Sequence, residues 1–588
     1  MVKLTIDNKP IEVEAGTTIL KAARQFGIDI PTLCYFELAG MNFENKPGGC
    51  RVCVVEVEGR RNLAPACVTE CMEGMVVHTH NARVINARKT VVELILSDHP
   101  NDCLQCAKSG DCELQALATK LGIREIPFKG EQSTYRKDTT KSVYRDMDKC
   151  VMCRRCETMC NQIQSVGALS AINRGFPAVV SPAFENDLGE TSCVNCGQCV
   201  QVCPVGALTL VDNVSDVMKA LADPTKTVVV QTAPAVRVAL GEEFGLEPGT
   251  IVTGKMAAAL RRIGFDYVFD TDWSADLTIM EEGTELLHRV AKVLNGEKVA
   301  MPQFTSCCPA WIMFMEKNFP DLLDNLSTAK SPQQMFGPVA KNFFAKKIGV
   351  KREDMVVVSV MPCLAKKSEV AREEFKVNGD PDVNFSISTR ELAHLIKQFN
   401  IDLSKLPEED FDSPLGESTG AAVIFGATGG VMEAALRTAY EVHTKKTLPR
   451  IDFEEVRGLD GVKTATVDFD GLPVKVAVCH TLSNARAMME EVRNGNPRGF
   501  HFIEVMACPG GCIGGAGQPY HHGNSDIIRK RMEATYREDA GKPIRKSHEN
   551  PDIIAIYKEY YGEPCGHLSH EQLHTKYFDR STKVEFEG

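Results

Sequence analysis

A multidomain α+β chain is what the sequence predicts: a string of small cysteine-rich modules, then one large α/β domain closed by a polar helical tail. Three observations predict it. Of 23 cysteines in 588 residues, sixteen fall between residues 34 and 203. One cysteine ladder recurs at a shift of 43 residues, the mark of a duplicated module. From about residue 225 the texture changes to strand-like runs alternating with helical stretches, as an α/β domain requires. At about 150 residues per domain the length suggests roughly four domains. The expected boundaries are 1–80, 81–140, 141–212, 213–524 and a tail at 525–588.

Composition removes several function classes. Hydrophobic residues at 43% and charged residues at 25% suit a soluble chain with a sizeable core. A formal charge of −11 gives no global support to nucleic-acid binding, and 2 Trp offer little surface for stacking bases. No apolar run approaches the roughly 18 residues of a membrane span. Met1–Asp7 turns acidic before any signal-like stretch develops, so a cytoplasmic location is expected. Free thiols at this abundance would be an oxidation liability unless occupied, which makes metal ligation the economical reading.

Residues 1–33 pair two short strand runs, Val2–Ile6 and Ile11–Val13, with a helix over Ile19, Leu20, Ala22 and Ala23 that Thr17 or Thr18 could cap. Strand, strand, helix and then a cysteine loop suits a β-grasp module of the plant-ferredoxin kind. Cys34-x15-Cys50-x2-Cys53-x13-Cys67 is a [2Fe–2S] loop with a widened first gap, and Gly48 and Gly49 let the backbone approach sulfur. Cys71 is a rival for the fourth position. Residues 81–125 read as helical around His99-x3-Cys103-x2-Cys106-x5-Cys112. Alone that set could hold zinc; between two iron–sulfur modules it favours a [4Fe–4S] cluster with one histidine ligand.

Residues 150–210 are mostly turns. There Cys150-x2-Cys153-x2-Cys156-x3-Cys160 recurs as Cys193-x2-Cys196-x2-Cys199-x3-Cys203. In a double-cubane ferredoxin the fourth cysteine of each run serves the other cluster. One cluster therefore takes Cys150, Cys153, Cys156 and Cys203, the other Cys193, Cys196, Cys199 and Cys160. A pair of zinc sites is the alternative, but a doubled ladder ending in x3 is rare for zinc. Asn161 departs from the proline usual after such a run.

In the large domain, strands are expected at Thr227–Val230, Met355–Val360 and Ala421–Phe425, and helices at Lys255–Arg262 and Thr284–Val293. The tail reads as helices at Ile527–Ala540 and Pro551–Tyr561. Gly426-Ala427-Thr428-Gly429-Gly430 invites a dinucleotide reading, but the spacing is wrong, so no nucleotide is expected on this chain. Three segments carry the specific chemistry: Thr305–Trp311 with Cys307 and Cys308, Met361–Glu369 with Cys363, Lys366 and Lys367, and Glu504–Pro519 with Cys508 and Cys512. Scattered core cysteines would be the bland explanation, since Cys behaves as a small hydrophobe. It accounts neither for two lysines beside Cys363 nor for five glycines around Cys508 and Cys512.

These three segments resemble the active-site signatures of the [FeFe]-hydrogenases, and the likeness runs over essentially the whole chain. The resemblance implies that Cys308, Cys363, Cys508 and Cys512 hold a [4Fe–4S] cubane. Cys512 would also bridge to a diiron centre bearing CO, cyanide and a dithiolate, the two parts together forming the H-cluster. It implies that Lys366 donates to a cyanide, that Met361 and Met506 line the diiron pocket, and that Cys307 passes protons to Glu282, Ser327, Glu285 and Arg289. Without the family, Glu282, Glu285 and Arg289 read as one solvated helix face. Ala235 stands where many relatives have serine. The tail would be the hydrogenase small-subunit-like segment.

The cofactor set expected is one [2Fe–2S] cluster, three accessory [4Fe–4S] clusters and the H-cluster, which leaves Cys71, Cys479 and Cys565 without a role. Partners implied by likeness to the family's NADP-reducing assemblies are a flavin- and NAD(P)-binding iron–sulfur subunit, a small [2Fe–2S] subunit, ferredoxin, and maturation proteins that build the diiron site. Two rivals are weighed. A respiratory NADH dehydrogenase subunit shares the pattern of residues 1–210 but lacks the three segments. A hydrogen sensor or cluster-assembly protein would add a signalling domain or lose ligands.

Overall fold

The structure, a computed structural model, describes residues 1–41 and 43–581. The chain divides into two compact units: Met1–Ile163 with Gly167–Thr191 and Cys199–Thr209, and Gln164–Val166 with Ser192–Gln198 and Leu210–Gly588. The second cysteine run is thus shared, Cys193 and Cys196 in one unit, Cys199 and Cys203 in the other.

The first unit opens with the expected hairpin. Val2–Ile6 pairs antiparallel with Lys9–Val13, Val2 opposite Val13, and parallel with Val76–His78. The alternation of Leu4, Ile6, Ile11 and Val13 turns one face onto Ile19, Leu20, Ala22 and Ala23 of the helix Ile19–Gln25. Thr18, not Thr17, caps that helix, its hydroxyl accepting the Lys21 N–H at 3.4 Å. Val54–Val57 and Ala64–Pro65 complete a five-stranded sheet, the β-grasp arrangement. Helices Ala82–Asp98 and Glu113–Lys120 bracket the loop of Cys103 and Cys106. The 150–210 region is, as expected, short turns of helix and one hairpin, Ser170–Ile172 with Val179–Ser181.

The second unit is built on two four-stranded sheets. One orders Tyr267–Asp270, Thr227–Thr232, Met355–Met361 and Phe385–Ser388, all parallel. The two central strands, Thr227–Thr232 and Met355–Met361, are near-continuous Val runs because both faces are covered. The other orders Gln303–Phe304, Phe502–Met506, Leu472–His480 and Val462–Phe469; the first three run parallel and the last pair is an antiparallel hairpin. The long helix Thr271–Leu294, capped by Asp270, extends well N-terminal of the expected Thr284–Val293. The tail helices are Ser525–Gly541 and Pro551–Ile556, the latter continued by a wider turn to Tyr561.

One expectation fails. Ala421–Phe425 is helical, not a strand: Gly420–Val423 forms an α-turn that tightens over Ile424–Gly426. A short apolar run buried on every side carries no periodicity to separate the two states. Here the Asp276 carboxylate decides, accepting the Thr419 N–H at 3.0 Å and the Thr419 hydroxyl at 2.6 Å at the head of the turn. The glycine segment therefore follows a helical turn, although it does open a helix, Gly430–Thr444.

Candidate active site

Parallel sheets gather ligands at the carboxyl ends of their strands, and here both sheets do so. Thr232 leads into Ala233-Pro234-Ala235, Met361 into Pro362-Cys363, Phe304 into Thr305–Cys308, and Met506 into Ala507-Cys508. These ends, with Cys512, Thr271 and Ala275, enclose a cavity of about 60 Å³ lined also by Phe425, Pro332, Gln333 and Lys366. Met361 and Met506 form part of its apolar wall, and Cys307, Cys363 and Cys512 open onto it. Ala235 lines it with a methyl group, while its carbonyl accepts the Gln518 amide at 2.7 Å.

The four cysteines from three distant segments meet. Burial, above all, pushes the Cys508 thiol well up, followed by the charges of Cys363, Cys308 and Cys512. Cys363 is raised by burial and then by the Cys308 charge, and Cys512 by burial and then by the charges of Cys363 and Cys308. Backbone N–H groups of Ala507, Trp311 and Ala310 point at the Cys308 sulfur, and those of Lys366 and Ala365 at Cys363. Four sulfurs so close that their charges act on one another, two of them faced by backbone amides, make a thiolate cage suited to a cationic metal cluster. The residues fit an iron–sulfur cubane. Glycine makes the enclosure possible: Gly511 has φ +96° and a Cβ there would stand 2.7 Å from the Thr428 nitrogen. The Thr428 N–H in turn donates to the Gly510 carbonyl at 3.0 Å, so the Gly426–Gly430 segment wraps this site.

Lys366 is buried, which works against its charge, but Glu369 at 2.9 Å holds the ammonium above its ordinary value. Its Nζ also donates to the Cys307 carbonyl at 3.2 Å. Cys307 is not among the four. Burial first, then the Glu282 charge, keep its thiol protonated. Burial and then Glu285 push the Glu282 carboxyl up to about 8, while the Ser306 N–H, donating to Oε1 at 3.2 Å, and the nearby Ser327 hydroxyl favour its charged form. Glu282 Oε2 has no direct hydrogen-bond partner among the described residues. The Ser327 hydroxyl donates to Glu285 Oε2 at 2.8 Å, and Arg289 donates to Glu285 Oε1 at 2.6 Å. Arg289 and Glu285 keep 12% and 14% of their side chains exposed, so this polar line runs from the cavity wall to solvent.

A second cysteine loop reaches the cage from another side. In the second unit the loop of Cys193 and Cys196 is seated on the cage, and the Cys196 charge acts on Cys508. Gly197, at φ +73°, lies where a Cβ would stand 2.6 Å from Leu364 Cδ1. Gln198 donates to the Gly514 carbonyl at 3.1 Å and Lys317 to the Cys193 carbonyl at 2.9 Å.

Within the first unit, Cys34, Cys50, Cys53 and Cys67 share hydrogen bonds sulfur to sulfur: Cys50 and then Cys67 pull Cys34 down, and Cys34 and then Cys53 push Cys67 up. Burial alone raises Cys71, to about 11, so the structure groups Cys67 with the set and leaves Cys71 apart. Cys150, Cys153, Cys156 and Cys203 likewise act on one another beneath burial as the largest cause. Cys160 is half-buried, and desolvation raises its thiol. His99 is buried, which lowers its pKa and keeps the imidazole neutral, and its Nδ1 has no partner among the described residues, as suits a ligand nitrogen. Cys112 feels Cys106, which faces Lys149, as His99 does; Cys103 is exposed.

Sequence reasoning missed several supports. Asn45 donates to the carbonyls of Cys34 at 2.7 Å and Cys153 at 3.0 Å, tying two cysteine loops with one amide. His480 accepts the Gly510 N–H at 3.3 Å and contacts the Leu459 carbonyl at 3.0 Å, fixing the Cys508 loop from behind. No spacing announces such residues; only the long apolar strand preceding His480 hinted at burial. Cys479, left without a role by the sequence, is plain core. Cys565 lies against Glu281 and His574. Among the described residues no helix is long and apolar enough to cross a membrane.

Comparison with known proteins agrees with this geometry. Residues 226–516 match the family "Iron only hydrogenase large subunit, C-terminal domain", and 525–580 "Iron hydrogenase small subunit". Residues 1–82 match a 2Fe-2S iron-sulfur cluster binding domain, 88–127 the NADH-ubiquinone oxidoreductase-G iron-sulfur binding region, and 140–209 the ferredoxin-like domain of NADH-quinone oxidoreductase subunit 3. The chain is 62% identical over 582 residues, 99% of both chains, to NADP-reducing hydrogenase subunit HndD of Solidesulfovibrio fructosivorans. It is 39% identical over 585 residues, 98% of this chain and all of the other, to Iron hydrogenase 1 of Clostridium pasteurianum. A solved structure of [FeFe]-hydrogenase HydA1 from Chlamydomonas reinhardtii superposes with a TM-score of 0.56 at 43% identity, covering 63% of this chain and 100% of that one.

Proposed function

Because the chain belongs to the iron-only hydrogenase family, we propose that it interconverts H2 with two protons and two electrons at the cavity bounded by Cys307, Met361, Cys363, Met506 and Cys512. The observation that carries this is the meeting of Cys308, Cys363, Cys508 and Cys512 at the carboxyl ends of two sheets, beside a polar line that starts at Cys307. Those four residues would hold the cubane of the H-cluster, Cys512 shared with a diiron part carrying CO, cyanide and a bridging dithiolate. When bound, that group supplies the open metal position and neighbouring base that heterolysis of H2 needs.

The chain's own residues do the rest. Met361, Met506, Phe425 and Ala235 keep water from the cavity, and the buried Lys366 ammonium presents a hydrogen-bond donor to an anionic ligand there. Cys307 holds a proton at sulfur and exchanges it with the Glu282 carboxyl. Glu282, kept neutral by burial up to about pH 8, can carry that proton near physiological pH. Ser327, Glu285 and Arg289 continue the relay outward. The cysteine sets of the first unit would hold one [2Fe–2S] and the accessory [4Fe–4S] clusters, including one with the His99 ligand, while Cys193 and Cys196 bring the last cluster to the cage. The name of the 62%-identical relative supports an NADP-linked complex. Its other members would be a flavin- and NAD(P)-binding subunit and a small [2Fe–2S] subunit, with ferredoxin as a second electron partner, maturation proteins installing the diiron part, and the cytoplasm as location. Infrared spectra of the matured protein test this reading: bands of metal-bound CO and cyanide together with H2-dependent dye reduction support it, and the absence of both from protein matured in a host that loads a control hydrogenase refutes it.

A further inference from the structure

The tail beyond Pro519 offered no chemistry to the sequence, yet its last described segment meets the polar line. Ser327 lies in a stretch, residues 326–330, held from both sides. On one side the Ser327 N–H donates to the Phe304 carbonyl at 2.8 Å, extending the sheet that ends in Cys307. On the other, Leu573–Tyr577 runs antiparallel: the Lys330 N–H donates to the Leu573 carbonyl and the Thr575 N–H to the Thr328 carbonyl, each at 2.8 Å, around an Ala329–His574 bridge.

Two side chains of this strap reach further. The Tyr577 hydroxyl donates to the Ser327 carbonyl at 2.6 Å. Burial holds its phenol above the ordinary range, so it stays a donor. His574, buried, contacts the Thr328 hydroxyl through Nδ1 at 2.8 Å and Glu281 Oε2 through Nε2 at 2.9 Å. Glu281 belongs to the long helix that also carries Glu282 and Glu285, and the Thr328 N–H donates to Glu285 Oε2 at 3.0 Å. A closed ring of contacts results: helix to His574, His574 to Thr328, Thr328 back to the helix. The Cys565 N–H, donating to Glu281 Oε2 at 2.7 Å, pins the near end of the strap to the same carboxylate.

We infer that the strap Leu573–Tyr577 is a positioning element for proton transfer, with His574 and Tyr577 fixing Ser327 between Glu282 and Glu285. The inference rests on the proton line proposed above. A hydroxyl relaying between two carboxyls works only within hydrogen-bond reach of both, and a displacement of about 1 Å can cost roughly a hundredfold in rate.

The test uses the fully matured enzyme with Ser327→Ala, Tyr577→Phe, His574→Leu and His574→Gln. Tyr577→Phe and His574→Leu are expected to speed amide hydrogen exchange at residues 326–330 and to lower kcat about ten- to a hundredfold at unchanged KM for the electron carrier. They should enlarge the solvent isotope effect and leave the infrared bands of the metal centre in place. His574→Gln, whose amide can span Thr328 and Glu281, should restore most of the rate. Tyr577→Phe, the loss of one oxygen, keeps the test decisive where His574→Leu fails to fold. If Ser327→Ala slows turnover while both strap variants run at the full rate with an unchanged isotope effect, the inference is overturned and the proton line stands. If Ser327→Ala also runs at the full rate, the line itself fails and the inference with it.

Discussion

Replacing Glu282 by glutamine should strengthen the fold at alkaline pH and stop turnover at every pH. Glu282 is fully buried, one of its oxygens lacks a direct partner, and burial followed by the Glu285 charge holds its carboxyl at about 8. Unfolded, the same group titrates near 4.3. Between those values the unfolded chain has released a proton that the native state keeps, so stability falls as pH rises through the window and levels off above it. At 1.36 kcal/mol per pKa unit the full cost is about 5 kcal/mol. Glutamine keeps the shape and carries no charge. Denaturant unfolding of matured wild type and Glu282→Gln at pH 5 and 8.5 should show little difference at the first and a clear gain for the variant at the second. A protonated-carboxyl band in the infrared of the wild type at pH 7 should vanish in the variant. A stability difference that does not change with pH, or a variant that evolves H2 at the wild-type rate, would falsify the assignment of Glu282 as a neutral, buried proton carrier.

Three further outcomes are expected. Gly197→Ala pays about 1–2 kcal/mol for its left-handed φ and about 1–3 for crowding Leu364; it should slow H2-linked reduction of an electron acceptor while H2/D2 exchange at the metal persists, and equal rates in both assays would contradict the seating of that loop as the electron inlet. Cys67→Ser should abolish the [2Fe–2S] signal in electron paramagnetic resonance and Cys71→Ser should not; the reverse pattern would exchange their roles. Burial, the foremost cause, lowers His480 to about 4, against about 6.5 unfolded. Its contribution of about 3 kcal/mol is therefore present above pH 6.5 and lost as pH falls toward 4. His480→Gln should flatten that acid limb in melts between pH 4.5 and 7.5, and an unchanged limb would remove His480 from the account.

How much of this was legible depended on how local each signal was. The hairpin and helix of the first module follow from Leu4, Ile6, Ile11 and Val13 alternating against a capped Ile19–Ala23 stripe, all within 25 residues. The Val-rich strands could be read because burial on both faces leaves a continuous run. Ala421–Phe425 could not, since a carboxylate 143 positions away in sequence, Asp276, selects its helical turn. The cysteine sets were legible by spacing where one loop supplies them. Four thiolates from three glycine-rich or proline-bent segments suited one buried cluster, but the assignment of Cys308, Cys363, Cys508 and Cys512 as the set came from resemblance, because long stretches of chain separate the segments. Asn45, Gln198, His480, His574 and Tyr577 were not legible at all. Each acts through one or two hydrogen bonds to atoms of other segments, backbone for Asn45, Gln198, His480 and Tyr577 and side chain for His574, and composition carries no trace of such a partner.

On the proposed mechanism, the pairing of Cys307 with Cys308 would let one peptide unit separate two kinds of traffic. An extended chain turns successive side chains to opposite sides, and the segment leaving Gln303–Phe304 does so. Cys308 packs in the same apolar cluster as Cys363, Val194 and Cys196, on the side from which electrons would arrive. Cys307 packs with Met506 and Phe425, beside Glu282, on the side from which protons would arrive. Two chemically identical side chains would thereby take different tasks from register alone: one sulfur sits where backbone amides favour its anion, the other where burial and a carboxylate keep its proton. Adjacent cysteines would thus be the shortest arrangement that could place a cluster ligand and a proton carrier at one metal centre without letting either serve as the other. The alternation also explains why the segment must be held on both edges, the Thr305 N–H donating to the Ile503 carbonyl on one and the Phe304 carbonyl accepting the Ser327 N–H on the other, since a slip of one residue would exchange the two roles.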